Sequence, residues 1–260
     1  MKDTLRAPLA AFALAASALA VALPRTAQAS FLERDDAQAF VREMVEKHGF
    51  DSTAVTAALT LAQHEPQVIR LIAPPSRPGV RSWQKYRARF LDRLRIDGGL
   101  AFWAENEADL QRASERYGVP IEIIVAIIGV ETVYGRNTGN FETLSALATL
   151  AFDYPPRAPL FRRELESLLL LARDQGRAPQ SFYGSYAGAL GYPQFLPSSV
   201  RNFGVDFDGD GHIDFDASPA DAIGSVANYL HVHGWRIGEP VAERARFTRV
   251  VDPEPLVAAG

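Results

Sequence analysis

The 260-residue sequence contains no cysteine, and this absence excludes several kinds of chemistry. The chain cannot form disulfides, use a thiolate as a nucleophile or bind a metal through sulfur. It also cannot carry a lipid on an N-terminal cysteine, as a lipoprotein does. The protein must therefore be stabilised by its hydrophobic core, which about 230 residues can build as one large or two smaller units.

A surplus of basic residues is also missing. The chain has 27 Lys and Arg against 31 Asp and Glu, which gives a formal net charge of -4. Nucleic-acid-binding proteins usually carry a basic surplus, so the sequence predicts no nucleic-acid partner. The histidines have no convincing zinc spacing and no serine lies in a nucleophile elbow, which disfavours zinc and Ser-His-Asp catalysis.

Only one long apolar run is present, and it lies at the N-terminus. A short charged start precedes an apolar stretch from Ala7 to Leu23, and small residues at 27–29 follow it. This order is typical of a secretory signal peptide, which we predict over residues 1–29. A membrane anchor is the alternative, but the run is short for a span of about 20 residues. We therefore expect a periplasmic protein that begins near Ser30 and has no membrane anchor.

The rest of the chain has the apolar spacing of a mainly α-helical protein. Asp35 or Asp36 is predicted to cap the first helix, which Gly49 ends, and Asp51 or Ser52 to cap the second. Further helices are predicted with Trp83, Tyr86, Phe90 and Leu94 on one face, broken by Gly98-Gly99, and at Leu100–Tyr117, Val119–Val133, Thr143–Phe152, Leu160–Ala172 and Asp221–His233. A short strand is predicted at Phe247–Val251, before a frayed end.

Glu131 ends the most apolar segment of the chain after the N-terminal run. The segment could be a buried strand, but its length favours a helix. A carboxylic acid in apolar surroundings has a raised pKa, so it can donate a proton at neutral pH, as glycosidic cleavage requires. The alternative interpretation is a buried structural glutamate paired with Arg136.

The segment GVETVYGR, Gly129 to Arg136, closely resembles the catalytic-glutamate motif of lytic transglycosylases of the membrane-bound lytic murein transglycosylase B family. Other family blocks are matched in the same order, at Ala148–Pro155, Ser185–Ser199, Asp221–Tyr229 and His233–Trp235. Tyr134 stands where many members have tryptophan.

The resemblance implies a lysozyme-like (goose-type) catalytic core at 118–240, preceded by a helical region at 30–117 and followed by a tail at 241–260 that is short for the family. Glu131 would protonate the oxygen between N-acetylmuramic acid and N-acetylglucosamine, then deprotonate the muramic C6 hydroxyl to give a 1,6-anhydro end. Peptidoglycan glycan strands are the implied partner, and no catalytic cofactor is implied. A muramidase that uses water and a non-catalytic peptidoglycan- or calcium-binding protein are the alternatives.

Five further residues match cleft positions of the family. The resemblance implies that Ser185 orients Glu131, that Gln194, Tyr86 and Tyr229 contact sugars, and that Arg157 meets muropeptide carboxylates. Tyrosine faces suit pyranose rings and an arginine suits carboxylates. Each residue has an ordinary structural role as its alternative, and Tyr86 fits a core position on its helix face equally well.

An acidic loop gives the first half of an EF-hand motif. Asp206, Asp208 and Asp210 lie at positions 1, 3 and 5, and Gly211 allows the bend at position 6. The predicted ligands of a structural Ca²⁺ are these three carboxylates and the carbonyl of His212. A surface turn without metal is the alternative.

The second half of the motif is incomplete, because position 12 is Ala217. The family has a last ligand in an aspartate that opens the following helix, and Asp221 matches it. We therefore predict Asp221 as the fifth ligand residue, with Asp216 as the alternative.

Overall fold

The computed structural model describes residues 31–74 and 82–242, and this part of the chain is mainly α-helical, as predicted. Its helices are α1 Asp35–His48, α2 Ser52–Leu61, α3 Pro66–Ile72, α4 Trp83–Arg87, α5 Arg93–Glu105, α6 Glu107–Tyr117, α7 Ile121–Thr132, α8 Thr143–Asp153, α9 Ala158–Asp174, α10 Pro197–Phe203 and α11 Pro219–Val232. Strands β1 (Phe141–Glu142) and β2 (Tyr183–Gly184) pair antiparallel, with Phe141 opposite Gly184.

The first two helices begin and end for reasons that are local in sequence. Gly49 ends α1 with a φ of 64°, as predicted. The predicted aspartate cap is wrong, because Arg34 occupies that position and Asp35 is the first helical residue. Asp51 does cap α2, since its carboxylate accepts a hydrogen bond of 2.8 Å from the backbone N–H of Thr53.

The single helix predicted from Trp83 to Leu94 is wrong. Helix α4 ends at Arg87, and α5 starts at Arg93 because Asp92 caps it by accepting a bond of 2.8 Å from the N–H of Arg95. The predicted break at Gly98-Gly99 is also wrong, since both glycines lie inside α5. The chain breaks later instead, at Asn106, where α5 gives way to α6.

The most apolar segment forms a helix and not a strand. Helix α7 buries Ile124, Val125 and Ile128, and α8, which follows a two-residue strand, buries every residue from Thr143 to Phe152. Helices α3 and α10 were not predicted, since seven-residue helices carry little periodicity. Helix α11 begins two residues before the predicted Asp221, where Ser218 caps it.

Two hydrophobic clusters hold the helices together. In the first, residues 31–72 pack against α8, α9 and the 182–215 region. In the second, residues 102–134 pack against the stretch 205–235, which includes α11. The predicted boundary at 117/118 stays a prediction, and the packing of both clusters runs across it.

The predicted signal peptide at 1–29, the predicted strand at 247–251 and most of the tail lie outside the described residues. Among the helices of residues 31–74 and 82–242, none has the length and apolar content needed to cross a bilayer.

Candidate active site

Glu131 lies in the last turn of α7, on the side that faces away from the core. Its neighbour Thr132 is fully buried, whereas Glu131 is open to solvent. Within the described part of the chain it has no ion-pair partner, so the predicted alternative of a pair with Arg136 is not observed. The pKa of Glu131 is raised, and the cause of this shift is desolvation by the surrounding protein. The carboxyl group is therefore accessible and is biased toward its protonated form.

The backbone after Glu131 adopts an unusual conformation. Val133, Tyr134 and Gly135 have φ angles of 53°, 59° and 81°. The left-handed region is unfavourable for residues other than glycine, and most so for a β-branched side chain. Among the described residues, Gln194 is the one other non-glycine with positive φ, at 50°. Backbone strain of this kind clusters at functional sites.

Buried Thr132 ties the end of α7 to a second loop. Its hydroxyl donates 2.9 Å to the carbonyl oxygen of Tyr192 and accepts 3.0 Å from the N–H of Gly135. A β-carbon at Gly135 would collide with the ring of Tyr192, so glycine is required for this close approach. Sequence reasoning missed Thr132, although its place directly after the predicted acid was a usable signal.

Ser185 lies in the turn after β2, beside the segment that follows Glu131. A β-carbon at Gly139 would lie 2.5 Å from the backbone nitrogen of Ser185, which shows how tightly the two segments pack. The Ser185 hydroxyl accepts bonds from the N–H groups of Ala187 and Ala189 at 3.3 and 3.1 Å. No described hydrogen bond joins Ser185 to Glu131. The described hydrogen bonds of Ser185 thus use its oxygen as an acceptor and leave its hydroxyl hydrogen unused.

Gln194 is fixed by the same two segments. Its side-chain nitrogen donates to the carbonyl oxygens of Thr138 and Gly191, both at 3.0 Å. Thr138 belongs to the stretch after Glu131, and Gly191 to the loop that carries Gln194 itself. Gln194 thus contacts the stretch that follows α7, and Ser185 packs on the same stretch at Gly139.

Tyr229 lies behind the loop of Gln194. Its ring contacts Phe195 at 5.4 Å and Phe203 at 5.1 Å, measured between centroids, and stacks on His233 at 4.0 Å. The ring is half-buried, so its contacts are those of a core aromatic with one accessible side.

The described contacts of Tyr86 and Arg157 do not involve Glu131, Ser185 or Gln194. Tyr86 is 55% exposed, so the interpretation of Tyr86 as a core residue is wrong; Trp83 and Leu94, on the same predicted face, are exposed too. The Arg157 guanidinium lies 5.2 Å from the ring of Phe161. No described hydrogen bond or ion pair links either residue to Glu131.

The acidic loop brings three of the five predicted metal ligands together. Carboxylate oxygens of Asp206, Asp208 and Asp210 lie within 4.8 Å of one another. The two oxygens of Asp206 accept bonds from the N–H groups of Gly209 and Gly211 at 2.7 and 2.9 Å. Three converging carboxylates on a tight loop suit the hard Ca²⁺ ion, so the residues present fit a calcium site.

Asp221 is not in the cluster of those three carboxylates, and its own carboxylate is occupied by backbone hydrogen bonds. It is 1% exposed, and its carboxylate accepts bonds from the N–H groups of Phe207, Asp208 and Asp214 at 2.7, 3.4 and 2.8 Å. Burial raises the pKa of Asp221, while these three bonds lower it. Asp221 therefore shapes the loop from inside, and its role as a ligand, like that of the exposed His212, stays a prediction.

An apolar groove of about 450 Å³ lies between α5 and α7. Leu100, Val130 and Tyr134 are among the residues that line it, and Glu131 is not. The groove is therefore on a different side of α7 from the carboxyl group.

The chain is similar to known lytic transglycosylases over most of its length. The family model described as "Transglycosylase SLT domain" matches residues 33–256. Membrane-bound lytic murein transglycosylase B of Escherichia coli (strain K12) is 47% identical over 224 residues, which are 83% of this chain and 62% of that protein. The chain thus spans less than two thirds of the length of that relative.

Solved structures resemble it as well. Soluble lytic transglycosylase SltB1 from Pseudomonas aeruginosa has a TM-score of 0.77 and 50% identity, covering 79% of this chain and 69% of that one. Escherichia coli lytic transglycosylase Slt35, in a complex with calcium, has a TM-score of 0.76 and 44% identity, covering 88% and 76%.

Proposed function

Because the chain belongs to the transglycosylase SLT domain family, we propose that it is a lytic transglycosylase acting on peptidoglycan. The bond cleaved is the β-1,4 link between N-acetylmuramic acid and N-acetylglucosamine. The observation that carries the proposal is Glu131, an accessible carboxyl group without a counter-ion among the described residues, with a raised pKa, at the start of a strained turn. Such a group is suited to protonate a leaving oxygen at neutral pH.

One glutamate acts twice in the proposed reaction. The Glu131 proton passes to the glycosidic oxygen as the bond from C1 to that oxygen breaks. The C6 hydroxyl of the same muramic sugar then bonds to C1, and its proton returns to the Glu131 carboxylate. The products are a free N-acetylglucosamine hydroxyl and a 1,6-anhydromuramic end, and no water is consumed.

The electrostatics of Glu131 are compatible with this scheme. In glycosidases that use two carboxylates, the groups lie about 5–10 Å apart, and a nearby like charge raises the pKa of the acid. Burial acts on Glu131, and no coulombic effect of another acid on it is resolved. This pattern is compatible with a glutamate that works alone.

The residues around Glu131 serve binding and orientation in this proposal. The hydroxyl hydrogen of Ser185 is donated to the Glu131 carboxylate, which it orients, or to a sugar oxygen. Gln194 offers its amide oxygen, because both of its described bonds use the nitrogen. Tyr229 and Tyr86 present ring faces to sugars, and Arg157 meets a carboxylate of the substrate. Catalysis needs no cofactor.

Calcium has a structural place in this proposal. Asp206, Asp208 and Asp210 would hold the ion, completed by Asp221 and the carbonyl oxygen of His212. The ion would neutralise three carboxylates that otherwise repel one another. The calcium complex of Slt35 supports a similar role here.

The proposed substrate also gives the location. Peptidoglycan strands lie outside the inner membrane, so the protein acts in the periplasm, in agreement with the predicted signal peptide. The glycan strand is the proposed partner.

Digestion of purified peptidoglycan followed by mass spectrometry tests the proposal. Wild type is expected to release muropeptides with 1,6-anhydromuramic ends, and Glu131→Gln to lose at least about 100-fold of the rate, because a positioned acid and base contributes about 10²–10⁴-fold. Reducing ends, one water heavier, would instead identify a muramidase. No products from a folded wild type that binds the glycan would identify a binding protein.

A further inference from the structure

Three glycines lie inside α5 and α7, where glycine is an unfavourable helix residue. All three face the ring of Tyr134. A β-carbon at Gly129 would lie 2.6 Å from Cζ of that ring, one at Gly99 would lie 2.6 Å from Oη, and one at Gly98 would lie 3.1 Å from Cδ2. The three glycines therefore form a slot, which we call the glycine slot, and Tyr134 fills it.

The ring of Tyr134 is held in the glycine slot by two partners. Phe102 stacks on it with a centroid distance of 5.3 Å and an interplanar angle of 29°. The hydroxyl donates a hydrogen bond of 2.9 Å to the carbonyl oxygen of Arg95. Burial raises the pKa of the Tyr134 hydroxyl, so it remains a donor.

Arg95 also holds the chain on the other side of Glu131. Its Nε donates a bond of 3.2 Å to the carbonyl oxygen of Gly129. The guanidinium is itself fixed by Asp92, which accepts from Nη1 at 2.6 Å. Gly129 precedes Glu131 and Tyr134 follows it, so a single residue of α5 is bonded to the chain on both sides of the carboxyl group.

The left-handed turn after Glu131 needs such a support. Val133 and Tyr134 have φ angles of 53° and 59°, which persist only where surrounding contacts fix them. If the ring left the glycine slot, the turn would relax, and the last turn of α7 would move with it. The position of Glu131 depends on that last turn.

We infer that Tyr134 is a positioning residue for Glu131, acting through its ring in the glycine slot and its hydroxyl bond to Arg95. The inference rests on the proposed function, since it assigns Tyr134 to the residue that would carry the reaction. The hydroxyl of Tyr134, bonded to the backbone of Arg95, thereby sets where the Glu131 proton is delivered.

Tyr134→Phe is the sharpest test, because it removes the hydroxyl and keeps the ring. Its kcat on peptidoglycan is expected to fall about tenfold with KM little changed, since small misplacements of a catalytic group cost rate more than binding. Exposed Tyr183 gives the matched control: Tyr183→Phe is expected to leave both constants unchanged.

The pH profile separates positioning from a loss of folded protein. A misplaced Glu131 is more hydrated, so its pKa falls and the protonated acid is lost at lower pH. The alkaline limb of kcat/KM is therefore expected to shift to lower pH in Tyr134→Phe. If less folded protein is the cause, the rate falls in proportion to the folded fraction and the limb stays in place, which would overturn the inference.

A second variant fills the glycine slot. Gly129→Ala is expected to lower kcat despite the better helix propensity of alanine, and to lower it by a smaller factor when Tyr134→Phe is also present. Equal effects of Gly129→Ala in both backgrounds would count against the slot, as would an unchanged kcat in Tyr134→Phe.

One measurement does not depend on activity. Titration of ¹³C-labelled carboxyl groups by NMR, with Glu131→Gln identifying the signal, gives the Glu131 pKa in wild type and in Tyr134→Phe. A lower pKa in the variant supports the inference even if the wild type cleaves nothing, in which case the proposed function alone has failed. An unchanged pKa contradicts the inference whatever the activity.

Discussion

Glu131 is an accessible acid without a counter-ion among the described residues, and this has a cost for the folded protein. Partial desolvation by the surrounding protein raises its folded pKa, so the ionised form is disfavoured in the folded state relative to the unfolded chain. Below both pKa values the group is neutral in both states and has no effect. Above the folded pKa it is ionised in both, and the folded state alone bears the loss of hydration. Glu131 therefore lowers stability at neutral pH and not in acid.

Glu131→Gln is accordingly expected to melt at a higher temperature than wild type at pH 7. The gain should shrink as the pH falls and vanish below about 4, near the ordinary glutamate pKa. Thermal unfolding followed by circular dichroism across this range is the measurement. Glu122→Gln, in the first turn of the same helix, is the control and should be neutral or destabilising, since an acid there favours the helix dipole. A lower melting temperature for Glu131→Gln at pH 7 would contradict the expectation.

Some residues of the site could be predicted from the sequence and others could not. Glu131 stood out because one carboxylate ended a long apolar segment, and Ser185 and Gln194 because their surroundings resemble family blocks. Arg95 gave no such signal, because its partners Gly129 and Tyr134 lie more than thirty residues away and only the fold brings them together. Contacts between residues so far apart in the chain produce no regular spacing in the sequence.

At the scale of elements, the first turn of α10 is capped by a side chain that is distant in sequence. Buried Glu164 of α9, 4% exposed, accepts bonds from the N–H of Ser198 at 3.0 Å and from its hydroxyl at 2.7 Å. It thereby satisfies donors of the first turn of α10, as a cap does. Gln194 lies just before this helix, so Glu164 also fixes one end of the site loop.

Glu164→Ala is expected to destabilise the protein by about 2–3 kcal/mol, because two donors of Ser198 lose their partner in a buried setting. Glu164→Gln keeps one acceptor and should cost less. Urea unfolding at pH 7 gives both values, with exposed Glu46→Ala as the neutral control. Equal stability of Glu164→Ala and wild type would show that these bonds contribute nothing.

The elements were predictable where one local signal dominated. Helix α7 is a long apolar segment bounded by Pro120 and a left-handed turn, and its type was predicted correctly. Between Trp83 and Leu94 two signals competed, and the cap at Asp92 prevailed over the apolar spacing. Gly98 and Gly99 were interpreted as a break because sequence alone does not reveal an aromatic ring packed on them.

At the scale of the whole molecule, the segment that leads from α10 into the acidic loop is bonded to α11. The N–H of Val205 donates 2.8 Å to the hydroxyl of Ser225, and the Asn228 side chain donates 3.0 Å to the carbonyl of Phe203. An ion bound in the loop would therefore act next to the contacts that hold α10 and α11 together.

Calcium is therefore expected to raise the melting temperature. At about 100 times its dissociation constant the increase should be about 5–10 °C. Differential scanning calorimetry with calcium, with magnesium and with a chelator is the measurement, and Asp208→Asn should abolish the response while exposed Asp97→Asn keeps it. A response to magnesium of equal size, or no response to calcium, would contradict the proposal that the loop binds calcium.

The helical composition and the lysozyme-like fold expected from the resemblance are confirmed by the similarity to solved lytic transglycosylases. The contacts between α8 and the N-terminal helices were not predictable from the sequence. Buried Ser145 and Thr149 of α8 bond the backbone of residues 63 and 65 at 2.8 and 2.9 Å. Hydroxyls in an apolar helix gave no indication of which distant segment they serve.

These contacts between distant segments limit the order in which the chain can fold. Arg34 pairs with Asp153, and His48 contacts Glu166 at 2.6 Å, so the first described helices find their partners more than a hundred residues later. A chain that emerges from its N-terminus exposes Phe40, Met44 and Leu59 until α8 and α9 have also emerged. Non-local contacts of this kind slow folding and leave apolar surface open to aggregation. The first described helices can therefore bury their apolar faces only after about two thirds of the chain has been made.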